Sequence, residues 1–415
     1  MQKALTVTPG DIEDASERIT DFVLRTPLVK STRLSNITGA DIQLKYENMQ
    51  ATGSFKERGA LNKLLSLTED EHPEGVIAMS AGNHAQAVAH HAARLGIPAT
   101  IVMPETTPFV KVGNTEALGA NVLLAGETLA EAREMACELS GRDGLDMIHP
   151  YDDPLVIAGQ GTIGLEILAD QPDIDCLVVP VGGGGLISGI AIATKAVKPD
   201  VEIIGVEVAS YPSLYAALCK KEMPCGGMTL ADGIAVKTIG EHTLPIVRSM
   251  VDDLILVSEE QIEQAVFALA SRQKTVVEGA GAAGLAAIMD NRDRFKDRKV
   301  GIVLSGGNID PRILAAILVR GLERDGRIVS LRLTIFDQPG TLGRIASLLG
   351  DAGANILSIS HRRILLDVPP RGSSLDMMIE TKDARHSDTV IQKLKQAGYD
   401  VVQLKGTAAA DFMTN

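Results

Sequence analysis

The chain has 415 residues, enough for two or three domains and for hydrophobic cores that need no covalent staples. A net charge of −13 argues against nucleic acid and anionic membrane surfaces as partners. The opening MQKALTVTPG has no apolar run behind its lysine, and no stretch approaches the roughly 18–20 apolar residues that span a bilayer, so neither export nor membrane insertion is expected. Cys137, Cys176, Cys219 and Cys225 show neither metal-ligand spacing nor a disulfide framework, and read as reduced thiols of a cytoplasmic protein. Trp is absent and aromatics make up 3%, a composition suited to closely packed α/β layers.

Short β-rich runs alternate with amphipathic stretches. Strands are expected at Ile42–Glu47, Val76–Ser80, Ala99–Met103, Asn121–Leu124, Asp175–Val181, Glu202–Val208 and Lys299–Leu304. Most are apolar through the middle, as parallel strands covered on both faces are. A helix is expected over Asn83–Leu95, stopped by Gly96 and Pro98. This alternation predicts a doubly wound, mostly parallel sheet, or two of them, with ligands at the strand C-termini. After the polar, turn-prone segment Glu323–Arg327 the pattern changes. Strand Ile328–Phe336, helix Thr341–Ala352, strands Ala354–Ile364 and Ser373–Glu380, helix Ser387–Ala397 and strand Asp400–Leu404 give the order βαββαβ, a small ferredoxin-like α+β domain. DVPPRGSS (367–374) is expected to loop out, and GTAAADFMTN (406–415) to form a frayed tail.

Four segments carry chemistry. Ser54–Phe55–Lys56–Glu57–Arg58 opens a helical run, where a lysine opposes the helix dipole unless an anionic ligand sits there; pairing with Glu57 or Glu47 is the plainer alternative. Ser80–Ala81–Gly82–Asn83–His84 joins a strand to a helix and offers N–H groups to a carboxylate, or is an ordinary cap. Gly182–Gly183–Gly184–Gly185–Leu186 lets the backbone approach a phosphate. It could also begin a dinucleotide fingerprint, although Ile187 occupies the third glycine position, or be a tight connection without a ligand. Ser305–Gly306–Gly307–Asn308 follows the last strand and on its own is a loop.

KYENMQATGSFKERGA closely resembles the cofactor-lysine segment of threonine dehydratases and serine racemases, of the tryptophan-synthase-β-like pyridoxal-phosphate (PLP) fold. The resemblance implies that Lys56 bonds the cofactor aldehyde, that Phe55, Asn83, Gly182–Leu186 and Ser305 hold the cofactor, and that Ser80–His84 bind the carboxylate of an amino-acid substrate. Asn83 would meet the phenolic oxygen and Ser305 the pyridine nitrogen. A serine hydroxyl does not hold that nitrogen protonated as a carboxylate does, which suits β-elimination better than transamination. Eukaryotic-type serine racemases carry a second serine where this chain has Ala81, so racemisation should be weak. Glu207 matches a cation ligand of those racemases, but the second acidic ligand is replaced by Ser213, and no metal is expected. Asp232 and Glu278 lie in segments of familial look without an assigned role. Asp337–Gly343 and Gly353–Ile356 resemble the ACT domain, which implies an isoleucine or valine effector near Gly340 and Asn355 across a subunit interface, or a ligand-free dimerisation module.

The expectation is a catalytic domain over 1–322 with a smaller subdomain at about 48–155, an ACT domain over 327–405, and a homo-oligomer, dimer or tetramer. The expected activity is conversion of L-threonine to 2-oxobutanoate and ammonia, with L-serine as a further substrate, in isoleucine biosynthesis or threonine catabolism. A serine or 3-hydroxyaspartate dehydratase or racemase and a catalytically idle amino-acid sensor are the alternatives.

Overall fold

The computed structural model describes residues 6–67, 74–336, 338–362 and 372–404. The chain divides into two compact units, Met1–Asp310 and Pro311–Asn415.

The first unit holds two sheets. Its strands are β1 (Leu28–Lys30), β2 (Asp41–Lys45), β3 (Val76–Met79), β4 (Ala99–Met103) and β5 (Asn121–Leu124). They continue with β6 (Asp146–Met147), β7 (Cys176–Pro180), β8 (Glu202–Val208), β9 (Asp253–Val257) and β10 (Lys299–Val303). The larger sheet has the order β1-β2-β10-β7-β8-β9, parallel apart from β1 at its edge. The smaller, β5-β4-β3-β6, is parallel throughout. Helices cover both, and the fully buried β7 shows why its run is continuously apolar. Against it pack Ile187, Ile190 and Ala191 of the helix Gly185–Val197. In the smaller sheet Val76, Ala78 and Ile101 meet Ala85, Val88 and Ala92 of the helix Asn83–Leu95, which ends at the left-handed Gly96 as its sequence indicates.

The expected strands form, with ends moved by one or two residues at most. Sequence reading missed β1, β6 and β9. The first two have three and two residues, too few to show a period, and β9 is a half-exposed edge strand. The parallel topology aligns the ends that matter. Lys56, Ser80, Gly182 and Ser305 follow the C-termini of β2, β3, β7 and β10 respectively.

The second unit opens with the helix Pro311–Arg324 and continues β11 (Ile328–Phe336), helix Thr341–Asp351, β12 (Asn355–Arg362), β13 (Gly372–Glu380), helix Ala384–Gln396 and β14 (Asp400–Leu404). The antiparallel order β12-β13-β11-β14 is the expected βαββαβ arrangement. Leu331, Leu333, Met377 and Ile379 bury one sheet face beneath Ile345, Leu349, Val390 and Leu394. Ser373, the expected start of that strand, and Ser374 pair with Ile335 and Thr334, so the expected loop over 367–374 ends before its two serines, where the ladder already runs the full length of β11. Residues 367–371 of that loop, Asp337 and the 406–415 tail lie outside the described residues. Among the described residues, no helix is long and apolar enough to cross a membrane.

A buried ionic cluster ties the first unit together around Arg58. Its Nε and Nη2 donate to both oxygens of Glu47 at 2.8 Å, and its Nη1 donates to Glu166 at 2.7 Å. Lys45 completes the cluster, donating to Glu166 at 2.5 Å and to Thr26 O at 2.6 Å. Arg58, Lys45 and Glu47 are wholly buried. Burial alone would raise Glu47, but the adjoining Arg58 guanidinium more than offsets this and holds its carboxyl below the usual range. Two cations and two carboxylates leave no net charge, and removing one partner strands the others. Arg58→Ala should therefore cost about 3–5 kcal/mol in urea unfolding, or abolish soluble protein. Arg25→Ala, which removes an exposed pair with Asp170, should cost under ~1 kcal/mol. Equal effects of the two changes would show that the buried cluster is not the anchor.

Candidate active site

Lys56 is the first residue of the helix Lys56–Leu65. The loop before it is held antiparallel to the segment after β10: Phe55 N donates to Ser305 O at 3.0 Å, Ser54 bridges Gly306, and Gly307 N donates to Gly53 O at 2.9 Å. The predicted lysine and serine motifs are thus joined through their backbones. Lys56 Nζ donates to Pro150 O at 2.5 Å and stands 5.2 Å from the centre of the Phe55 ring. Burial pushes this amine down to about 8, with the Glu278 carboxylate opposing the shift. Neither alternative partner from the sequence, Glu47 or Glu57, pairs with it, since Glu47 is taken by Arg58 and Glu57 lies beside His91.

Asn83 opens the helix Asn83–Leu95, with Gly82 rather than a polar side chain at the cap. Ser80 Oγ accepts from Gly82 N at 3.2 Å, which shapes the loop and leaves the first-turn N–H groups without a side-chain cap. The Asn83 amide is fixed from both ends. Its Nδ2 donates to Glu278 at 2.8 Å, and its Oδ1 accepts from Asn308 at 2.7 Å. One N–H of Nδ2 remains for another acceptor. Burial pushes the Glu278 carboxyl up to about 7, with the Asn83 N–H pulling the other way.

Two histidines flank the amine, and burial keeps both neutral. His84 is pushed down to about 3, with Lys56 adding to the effect, and its Nε2 contacts Ile148 O at 2.8 Å. That contact requires Nε2–H, so Nδ1 is an acceptor, and it is buried without a partner. His149 is pushed down to about 4, and its Nδ1 accepts from Tyr151 N and Asp152 N. Neither imidazole adds a cation beside Lys56 at neutral pH.

The tetraglycine segment closes the far wall. A Cβ on Gly183 would stand 2.3 Å from the Tyr151 ring, so only glycine admits that ring. Gly184 caps the helix Gly185–Val197 at φ +93°, a conformation that favours glycine. Thr243 Oγ1 donates to Gly183 O at 2.8 Å and steadies the turn. Among the described residues, no backbone acceptor meets the N–H groups of Gly182–Ile187, which are free for an anion.

These pieces form a closed ring of neighbours. Lys56 meets Pro150, the adjoining Tyr151 packs on Gly183, and a Cβ on Gly182 would lie 3.4 Å from Gly233 O. A Cβ on Gly233 would lie 3.2 Å from Glu278, which holds Asn83. A Cβ on Gly306 would touch both Glu278 and Asn83, and Ser305 returns to Phe55. The fold brings Phe55, Lys56, Asn83, Gly182, Gly183 and Ser305 into this ring. It adds His149, Pro150, Tyr151 and Glu278. HPYDDP shows only a helix start, with Asp153 capping and Pro154 in the first turn, so no signal marked His149 or Tyr151. Glu207 lies elsewhere: it accepts from Leu214 N at 2.7 Å and Tyr215 N at 2.9 Å, capping the helix Ser213–Cys219.

In the second unit Gly340 caps the helix Thr341–Asp351 at φ +83°, and Asn355 begins β12. The register puts Asn355 opposite Glu380 and hence beside Ile328, at the end of β11 away from Phe336 and Gly340. The eight residue-to-residue steps of β11 separate those ends by roughly 26 Å, so no small ligand touches both residues within one chain. Asn355 lines a cleft with Arg327, Gly353, Glu380, Thr381 and Lys382.

Comparison with known proteins gives a consistent result. The profile of the family described as "Pyridoxal-phosphate dependent enzyme" matches residues 19–306, and that of the ACT domain matches 329–398. An L-threonine ammonia-lyase of Thermotoga maritima is 46% identical over 95% of this chain and 99% of its own. Among solved structures, threonine deaminase isoform 2 of Solanum lycopersicum superposes with TM-score 0.70 at 37% identity, covering 76% of this chain and 90% of that one. Maize serine racemase superposes with TM-score 0.71 at 35% identity, over 77% and 98%.

The electrostatics can be checked on protein freed of small molecules. Acylation of Lys56, followed by peptide mass mapping across pH, should rise with a midpoint near 8. Its neutral, nucleophilic fraction grows as pH passes that value, whereas an ordinary lysine titrates near ~10.4. A midpoint at the ordinary value would show that the amine is not desolvated.

Proposed function

The chain belongs to the pyridoxal-phosphate-dependent enzyme family, and from that membership we propose that it is a threonine ammonia-lyase, converting L-threonine to 2-oxobutanoate and ammonia and L-serine to pyruvate and ammonia. The observation that carries this reading is the desolvated amine of Lys56, set within the ring that joins Asn83, the glycine segment and Ser305.

The residues present fit the cofactor. The free N–H groups at the start of the helix Gly185–Val197 suit its phosphate, with Leu186 in the first turn. Ser54 Oγ, two residues before Lys56, is buried without a partner and is open to a hydrogen bond from a bound group. The free N–H of Asn83 suits a phenolate, Ser305 the ring nitrogen, and Phe55 the ring wall. When bound, the cofactor supplies an aldehyde that bonds the amine and a ring that accepts electrons from the substrate Cα.

The chain's own residues do the rest. The Ser80–Ala81–Gly82–Asn83–His84 loop takes the substrate carboxylate on its N–H groups, and neutral His84 brings no competing charge. Lys56 removes the Cα proton as general base, a role suited to an amine poised near 8. Glu278 fixes the Asn83 amide and so the orientation of whatever that amide binds. Ala81 has no proton to give on the opposite face, which favours elimination over racemisation. The β-hydroxyl leaves as water, and hydrolysis of the resulting enamine releases ammonia and the oxoacid.

The second unit is read as an amino-acid-binding regulatory module. Isoleucine or valine is the proposed effector, bound where units of two chains meet, because Gly340 and Asn355 lie too far apart in one. The protein is then a cytoplasmic homo-oligomer, a dimer or tetramer.

A ketoacid assay with threonine, serine and 3-hydroxyaspartate, each with and without isoleucine and valine, tests the reading. Threonine should have the highest kcat/KM, and isoleucine should lower turnover. Lys56→Ala should abolish turnover and the visible absorbance of the bound cofactor together. Normal ketoacid formation by that variant would sink the assignment.

A further inference from the structure

The helix Asn83–Leu95 carries two adjacent histidines, His90 and His91, that the active site does not use. His91 is fully buried, and neither of its ring nitrogens has a hydrogen-bond partner. An orphaned imidazole in a protein interior is costly and asks for an explanation. Its Nε2 lies 3.3 Å from Glu57 Oε2, close enough for contact but not aligned as a hydrogen bond. The half-buried His90 ring stands edge-on to it, centroids 4.9 Å apart. One ligand atom from each of Glu57, His90 and His91 can be chosen so that all three lie within 4.8 Å of one another.

The chemistry of the three suits a cation. Glu57 Oε1 accepts from Thr52 N, which leaves Oε2 facing His91. Burial pushes His90 down, with His91 adding to the shift, which leaves its ring neutral with a free lone pair. Two imidazoles with one carboxylate suit zinc, cobalt, nickel and copper, and supply too few oxygens for calcium or magnesium.

We propose that Glu57, His90 and His91 form a binding site for a divalent cation of the zinc class, with water as the fourth ligand on the half-exposed His90 side. In a tetrahedral site, ligand atoms stand roughly 3.4 Å apart. The Glu57–His91 pair already has about that separation, and the His90 nitrogen, within 4.8 Å of both, would have to draw closer on binding. The cation staples the helix Lys56–Leu65 to the helix Asn83–Leu95, the two elements whose first residues are Lys56 and Asn83. Its role is structural, since neither histidine lies in the ring of neighbours around the amine.

Cobalt is the probe. Metal-stripped, tag-free protein loaded with its cofactor is titrated with Co²⁺, and should bind one equivalent per chain with the intense visible absorption of tetrahedral cobalt, displaced by Zn²⁺. Zinc at a hundredfold excess over its Kd should raise the thermal midpoint of the wild type by about 4 °C. His90→Ala, at the half-exposed position and so the safer change for folding, should weaken cobalt binding by at least ~10-fold and remove the thermal shift. His91→Asn serves as the second variant and should do the same. Only weak octahedral absorption, or binding and thermal shift unchanged in His90→Ala, would overturn the proposal.

Discussion

The cluster around Arg58 is the constraint on which the rest of the first unit depends. Arg58 lies two residues beyond Lys56, and its guanidinium spans Glu47, just after β2, and Glu166, on the helix Pro154–Asp170. A fully buried guanidinium has one arrangement that satisfies its donors, so this contact sets the height and rotation of the Lys56 helix. A lysine side chain has four rotatable bonds and would otherwise sample many positions. The same helix Pro154–Asp170 is capped by Asp153, next to the His149–Asp152 turn that supplies Pro150 O to the amine and Tyr151 to the glycines. Anchor, amine and glycine wall are therefore parts of one packed object.

Electrostatics around the amine follow from what burial does to each neighbour. His84 and His149 are buried and neutral, while Glu278 is raised towards neutrality and remains the nearby acid that offsets the desolvation of Lys56. An amine titrating near 8 is available as a base at modest cost, whereas one near the ordinary lysine value would stay protonated. The scaffold is shared with structures named as a serine racemase and a threonine deaminase.

Much of this was legible in the sequence, and the reason is local. Lys56, Asn83, Gly182–Gly185 and Ser305 each follow a strand whose apolar run is easy to see, and parallel topology then gathers their ends. The ferredoxin-like order of the second unit was equally plain from its alternating strands. What escaped has no local signature. Nothing in the sequence marked Arg58 and Glu47 as a buried pair, because burial of an ion pair depends on partners more than a hundred residues away, such as Glu166. Tyr151 and His149 lie in a segment that reads only as a helix start. Glu278 was visible, yet its role depends on a hydrogen bond to Asn83, 195 residues away. The edge strands β1, β6 and β9 were missed because short or half-exposed strands carry no period.

The central claim is that Lys56 is the residue that bonds the cofactor. Borohydride reduction of the holoenzyme followed by peptide mass mapping tests it directly. The account predicts a single pyridoxyl label, on the peptide containing Ser54–Phe55–Lys56, with labelling lost when the protein is unfolded before the cofactor is added. A stable label on any other lysine, or none on Lys56, would contradict it.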